Sequence, residues 1–256
     1  MKIFDFASNW KAFSEQRVDS ERVAIAARSI QSLLERKTLD GVRFLDVGCG
    51  SGLFSLAANR LGASRVLGID INPNCIEISK CNRDRLARGA PIEFQIASAL
   101  NQESLQKLGT FDLVYAWGSL HHTGAMWAAI GNVLSLVAPG GMLVLAIYNK
   151  HVTSRAWRFI KWSYNQAPTA LQKVMAIVFS VIIYVAKFLV TRRNPLSKER
   201  GMDFWFDVID WVGGYPYEYA TCREVETFVS NRGFKLRQCI PACVPTGCNE
   251  FVFRNQ

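Results

Sequence analysis

Short apolar runs alternate along this chain with segments in which apolar residues recur at helical spacing. Residues 42–47, 65–70, 92–96, 111–116 and 142–147 read as buried strands, each five or six residues rich in β-branched or aromatic side chains and bounded by turn formers. Between them, Asn72-Pro73 opens a helix, with Asn as N-cap and Pro at the first helical position. Gly89-Ala90-Pro91 stops that helix near residue 88. A second helix, over about 126–136, is closed by Ala138-Pro139-Gly140-Gly141. Thr221 and Glu224 have the spacing of a capping box and start a helix that ends at Gly233. Residues 234–240 and 250–254 then form a last, hairpin-like strand pair. Ahead of the first strand, Val23, Ile25, Ala26, Ile30, Leu33 and Leu34 follow Asp19-Ser20-Glu21 at helical spacing, up to Gly41. The alternation predicts an α/β, doubly wound mixed sheet of seven strands with helices on both faces. Right-handed crossovers then place the loops after the first four strands along one edge.

Between Tyr148 and Pro216 the pattern breaks. Residues 174–186 contain no charge; Lys187 interrupts before Phe188-Leu189-Val190, and Lys173, Arg192 and Arg193 flank the run. The uncharged stretch is shorter than the roughly 20 apolar residues of a membrane-spanning helix. Three readings compete: a helix packed on the core or on a dimer partner, a surface helix dipping into a bilayer, and a span. The basic flanks and Trp157, Trp162, Trp205 and Trp211 favour the bilayer interface, with membrane-surface contact through 170–193. The expected organisation is one domain: a helical cap over 1–41, a core over 42–148, a helical insertion over 149–216, and a closing helix and antiparallel strands over 217–256.

Composition narrows the classes. The chain has 256 residues, half of them apolar, which suffices for one substantial core and excludes general disorder. Its net charge of +9 suits nucleic acid, a membrane surface or an anionic small molecule. No RNA-binding or helix-turn-helix motif supports nucleic acid, which is not expected as a partner. The seven cysteines occur singly with no CxxC pair, so no metal site is expected. Met1-Lys2-Ile3-Phe4-Asp5 shows no signal peptide, and the expectation is a cytoplasmic protein with free thiols.

The chemistry begins where the first strand ends. Leu45-Asp46-Val47-Gly48-Cys49-Gly50-Ser51-Gly52 runs into a helix, and its alternate glycines allow tight turns and close approach of a ligand to the backbone. The second strand ends at Asp70, where a carboxylate can accept hydrogen bonds from both hydroxyls of a ribose. The spacing is G-x-G-x-G, not the G-x-G-x-x-G of pyrophosphate sites. Asp46 at the loop entry disfavours a pyrophosphate and suits an ammonium or sulfonium ligand.

These residues resemble the class I S-adenosylmethionine-dependent methyltransferases, whose first motif is similar to 45–52. The resemblance implies a Rossmann-like methyltransferase fold and S-adenosylmethionine as cofactor. It puts Asp46, Gly48, Cys49, Gly50 and Gly52 at the methionine half and Asp70 with Ile71 at the ribose. Ser98 and Ala99 fall at the adenine edge, where many relatives carry Gly-Asp-Ala, so a charge-assisted bond is lost here. Trp117 borders the donor, as does Trp10 of the N-terminal segment. Ser119-Leu120-His121-His122 is similar to the loop after the fourth strand in ubiquinone- and menaquinone-pathway methyltransferases. Similarity to one bacterial methyltransferase subgroup extends over nearly the whole chain and names no acceptor.

On the acceptor side, His121 or His122 is a candidate general base, since an imidazole titrates near working pH. Consecutive residues diverge around a helix, so one of the two is expected to face the substrate. Two adjacent histidines without a third ligand make a poor metal site. Glu218 is a second candidate base or anchor. Tyr148, Asn149, Tyr215, Tyr217 and Asn249 are candidate substrate contacts from loops that roof the pocket. The expected function is methyl transfer to a small-molecule or glycan-type acceptor, oxygen favoured. Alternatives are a lipid-linked or quinone-type acceptor at a membrane, and a catalytically silent relative; a dimer is compatible with either.

Overall fold

The computed structural model describes residues 4, 14, 18–192, 194, 204–244 and 247–256. Seven strands form one sheet: β1 (Arg43–Val47), β2 (Arg65–Asp70), β3 (Ile92–Ile96), β4 (Phe111–Trp117), β5 (Val137–Tyr148), β6 (Phe234–Ile240) and β7 (Cys248–Asn255). Their order is β3-β2-β1-β4-β5-β7-β6. The β1–β2, β1–β4, β2–β3 and β4–β5 pairs are parallel, whereas β7 runs antiparallel to both β5 and β6. The sheet is therefore mixed, as the strand pattern predicts.

Side-chain alternation sends successive strand residues to opposite faces. On one face, Leu45, Val47, Leu67 and Ile69 join a core with α5 (Met126–Leu134) and α9 (Cys222–Ser230). On the other, Phe44, Val66, Leu113 and Tyr115 meet α1 (Ser20–Leu34) and α2 (Leu53–Arg60). Both faces are covered, which is why the central strands read as nearly unbroken apolar runs.

Local signals place the helix starts. Asp19 caps α1 by accepting from Arg22 N at 2.8 Å. Asn72 caps α3 (Pro73–Leu86), and the Thr221–Glu224 box closes reciprocally on α9. Three details differ from the sequence expectation. Ala138-Pro139-Gly140-Gly141 lies inside β5, where the β4–β5 register shifts, because Phe111 already pairs with Val137. A five-residue helix, α4 (Gln102–Gln106), is too short for periodicity to reveal. Leu120–His122 form a 3-10 turn.

The segment after β5 folds as helices α6 (Ser154–Gln166), α7 (Thr169–Thr191) and α8 (Phe204–Gly213). They share a small core of their own around Tyr164, Val208 and Val212, with Met175, Phe179 and Ile183 of α7 against it.

Candidate functional site

The C-terminal ends of the parallel strands bring the glycine loop, Asp70, Ser98, Trp117 and Tyr148 to one edge of the sheet. Gly48, Gly50 and Gly52 all have left-handed backbones, with φ of 74°, 56° and 75°. Space is as restrictive as conformation: a Cβ on Gly48 would sit 2.4 Å from Ser119 Cβ. Gly48 N and Cys49 N both donate to Ile69 O, at 2.7 and 3.0 Å, which pins the loop to the end of β2.

Asp70 binds both sides of the crevice. Its Oδ2 accepts from Gly50 N at 3.1 Å and its Oδ1 from Asn72 N at 2.9 Å. Two α3 side chains hold the loop's carbonyls from behind. Ser79 Oγ donates to Gly50 O at 3.0 Å and Asn82 Nδ2 to Ser51 O at 2.9 Å. Sequence reasoning missed both. The signal was present: Cys75, Ser79 and Asn82 lie at i, i+4 and i+7 on the buried face of α3, and polar groups on a buried helix face need partners.

Asp46 is buried and accepts from Ser55 Oγ at 2.7 Å. Burial pushes its carboxyl up to about 7; the Ser55 bond opposes the rise and neighbouring Asp70 adds to it. Burial also raises Asp70, against bonds from the Asn72, Gly50 and Ile71 backbone. Neither carboxylate has a cationic side-chain partner among the described residues. The Cys49 thiol is driven well above its usual range by burial, then by both carboxylates, and its Sγ lies 3.8 Å from Ser79 Oγ.

A sulfonium nucleoside fits this set on three counts: two under-compensated carboxylates for its cationic end and ribose, a loop whose alternate glycines leave backbone bare, and apolar cover for a base. The cover is Ile71, 69% exposed at the edge beside Asp70. Ser98 Oγ accepts from Leu100 N at 3.2 Å, and Ala99 O accepts from Asn132 Nδ2 at 3.0 Å, so this stretch is a braced turn. Trp117 ends β4 with its ring 6.3 Å from Phe54. Trp10 lies outside the described residues.

Ser119 joins the two halves of the edge, sitting over Gly48 and donating to Val47 O at 2.7 Å. His121 is 1% exposed, with ring centroids 4.0 Å from Tyr148 and 4.4 Å from His122. His122 is only partly buried, and its Nδ1 lies 2.8 Å from Pro216 O. A carbonyl only accepts, so Nδ1 carries the proton and Nε2 the lone pair. Burial holds both imidazoles neutral: His121 well below its usual range, and His122, with Lys161 nearby, down to about 3.

Lys161 of α6, which no sequence signal singled out, is fully buried here. Its Nζ donates to Trp211 O and lies 5.2, 4.9 and 4.8 Å from the ring centroids of Tyr148, Trp211 and Tyr217. Burial brings its ammonium down to about 7. His121 Nδ1 is buried without a hydrogen-bond partner among the described residues.

The other expected acceptor contacts divide. Tyr148 and Tyr217 are in the cluster, their rings 5.0 Å apart. Glu218 places both carboxylate oxygens on Met126 N, at 3.1 and 3.0 Å, where it caps α5 from a distant segment. Asn249 is occupied on both ends: Oδ1 accepts from Ala242 N at 3.0 Å, while Nδ2 donates to Asn149 Oδ1 at 3.2 Å and Ala220 O at 3.3 Å. The two asparagines thus knit the closing segments together. Tyr215 O accepts from Phe4 N at 3.2 Å and its side chain is partly buried.

The strand order, the glycine loop and the acidic residue ending β2 define a methyltransferase domain. Residues 18–176, well over half of the chain, match the family model of that description, and the chain belongs to this family. It is 37% identical over 113 residues to ribosomal protein L11 methyltransferase of Ralstonia pickettii, a match covering 44% of this chain and 34% of the relative. It is 30% identical over 159 residues to the ubiquinone biosynthesis O-methyltransferase of Colwellia psychrerythraea, covering 62% and 58%. The chain thus spans between a third and somewhat over half of these relatives' lengths. Among solved structures, magnesium protoporphyrin IX methyltransferase from Synechocystis PCC 6803 with bound SAH superposes with a TM-score of 0.59 at 15% identity, over 97% of this chain and 94% of that one. N-methyltransferase NodS from Bradyrhizobium japonicum gives 0.52 at 18% identity, over 90% and 96%. These two likenesses concern the fold alone.

Proposed function

We propose that the protein transfers the methyl group of S-adenosylmethionine to a hydroxyl oxygen of a small planar acceptor. The observation that carries this is Asp70, a raised carboxylate without a cationic partner among the described residues, tied to Gly50 N beside three left-handed glycines. When bound, the cofactor supplies an electrophilic methyl on a sulfonium. The chain's own residues position donor and acceptor. Asp70 orients the ribose, Asp46 attracts the cationic end, and Ser119 sets the distance between the donor loop and the histidine turn.

On the acceptor side, the partly exposed Trp211 offers a ring face, backed by the buried Tyr148, Tyr217 and Lys161. His122 Nε2, held neutral, accepts the hydroxyl's hydrogen bond and aims its oxygen; the carbon–oxygen bond forms as the carbon–sulfur bond breaks, and the proton leaves to water. His121, packed under Tyr148, positions that ring. Several relatives are named for O-methylation in ubiquinone biosynthesis, and a hydroxylated ring matches this ring-lined wall in kind.

Calorimetry with S-adenosylmethionine tests the reading. Asp70→Ala should weaken binding by about a hundredfold, the order expected for two hydrogen bonds to a charged group. Unchanged affinity would sink the assignment. A labelled-donor screen of hydroxylated aromatic compounds then identifies the acceptor.

A further inference from the structure

Helix α7 presents an apolar side that no described residue covers. Val174, Ile177, Val178, Val181, Ile182 and Val185 are each between 48% and 60% exposed. At 100° per residue they fall within an arc of about 140°. The opposite side, through Met175, Phe179 and Ile183, packs on the core shared with α6 and α8. By length and composition α7 could cross a membrane, yet its Met175, Phe179 and Ile183 side packs on α6 and α8. Its uncharged run, 174–186, rises only about 20 Å, short of a hydrocarbon core of roughly 30 Å.

Charge is concentrated on the same segment. Residues 149–198 hold nine lysines and arginines and no aspartate or glutamate. They account for the whole net charge of +9 and leave the rest of the chain balanced. Arg155, Arg158, Lys173 and Arg192 are exposed, and α6 also shows Phe159 at 65% and Trp162 at 40% exposure. A soluble partner helix would need only the apolar arc. An anionic bilayer surface uses the arc, the aromatic rings and the uniform positive charge together.

We infer that the α6–α7 face docks on the surface of an anionic phospholipid bilayer, with α7 lying in the plane of the interface. This docking stands independently of the methyl-transfer reading. The test is flotation of the full chain with vesicles of phosphatidylcholine alone and of phosphatidylcholine mixed with phosphatidylglycerol. Binding should be at least about tenfold tighter to the anionic vesicles and fall in high salt. The double variant Val178→Asp/Ile182→Asp should lose about a hundredfold in vesicle binding. Its thermal midpoint and its calorimetric affinity for S-adenosylmethionine without vesicles should stay unchanged. If that variant fails to fold, Arg155→Gln/Arg158→Gln/Lys173→Gln must remove most of the preference for anionic lipid. Equal flotation of parent and variants overturns the inference. So does a parent that ignores vesicles but forms a dimer that the aspartates dissociate, since the occupant is then a second copy.

Discussion

The donor half of the sheet edge takes most of its working groups from residues 46–52 and 70–82, and many of them are backbone N–H and C=O groups. The acceptor half takes side chains from His121 and His122, Tyr148, Lys161, Trp211 and Tyr217, spread over almost a hundred residues. One is a cradle whose shape depends on the absence of side chains. The other is a packed cluster whose chemistry depends on burial. A backbone cradle serves any ligand with the right skeleton, so the first half suits a cofactor shared across a family. The second half is free to differ with the acceptor.

Substitutions can break this contrast from either side. The largest effect is expected at Gly48→Val. With φ of 74° and a Cβ 2.4 Å from Ser119 Cβ, the loop has to move, and calorimetry should find no donor binding. Persistence of micromolar affinity would show that the cradle tolerates side chains after all. Next, His122→Ala should lower kcat by about tenfold or more with donor affinity intact, since its Nε2 positions the hydroxyl. His121→Ala should act mainly on stability, because its ring is core. Equal kcat in both variants would remove the positioning role of His122.

Lys161→Met comes third and shows in pH dependence. Its folded-state pKa of about 7 lies below the ordinary 10.5, so the native state holds fewer protons than the unfolded state between those values. The amine's cost to stability is therefore full below pH 7 and fades as pH rises toward 10.5. Thermal unfolding of the parent should gain stability from pH 6.5 to 9 relative to Lys161→Met; parallel curves would mean that the ammonium is compensated in the fold. Asp46 has the opposite sign. Its carboxyl is raised from 3.8 to about 7, so its contribution is present below 3.8 and lost as pH rises through 7. Asp46→Asn should remove that loss. The smallest effect is Glu218→Gln, which trades a charged cap on Met126 N for a neutral one and should cost about 0.5–1 kcal/mol in chemical denaturation with kcat unchanged. A large drop in kcat would return Glu218 to the reaction.

Much of the donor side was legible because its constraints are local. Glycine at 48, 50 and 52 answers three left-handed backbones, and an acidic residue ending β2 falls beside them by strand geometry alone. Ser79 and Asn82 were overlooked because a polar residue in a helix reads as solvent-facing until its face is known to be buried. Loop position makes Asn249 and Glu218 candidate pocket groups. Their hydrogen bonds instead go to neighbouring backbone, which must be satisfied when segments close over one another. For residues 174–190, composition established an apolar helix. Which side it buries depends on α6 and α8, and no periodicity within α7 encodes that.

By itself, then, the sequence determined the α/β alternation, the glycine cradle and the carboxylate facing it, since each depends on conformational preferences within a few residues. Only the tertiary structure decided that a lysine from the helical insertion stands among Tyr148, Trp211 and Tyr217 beside the two histidines. That meeting needs the β4–β5–β7 order to bring remote segments to one edge, and burial then changes what each group can do. Burial is a property of the packed chain, which is why an amine that reads as a surface charge at position 161 stands enclosed among aromatic rings.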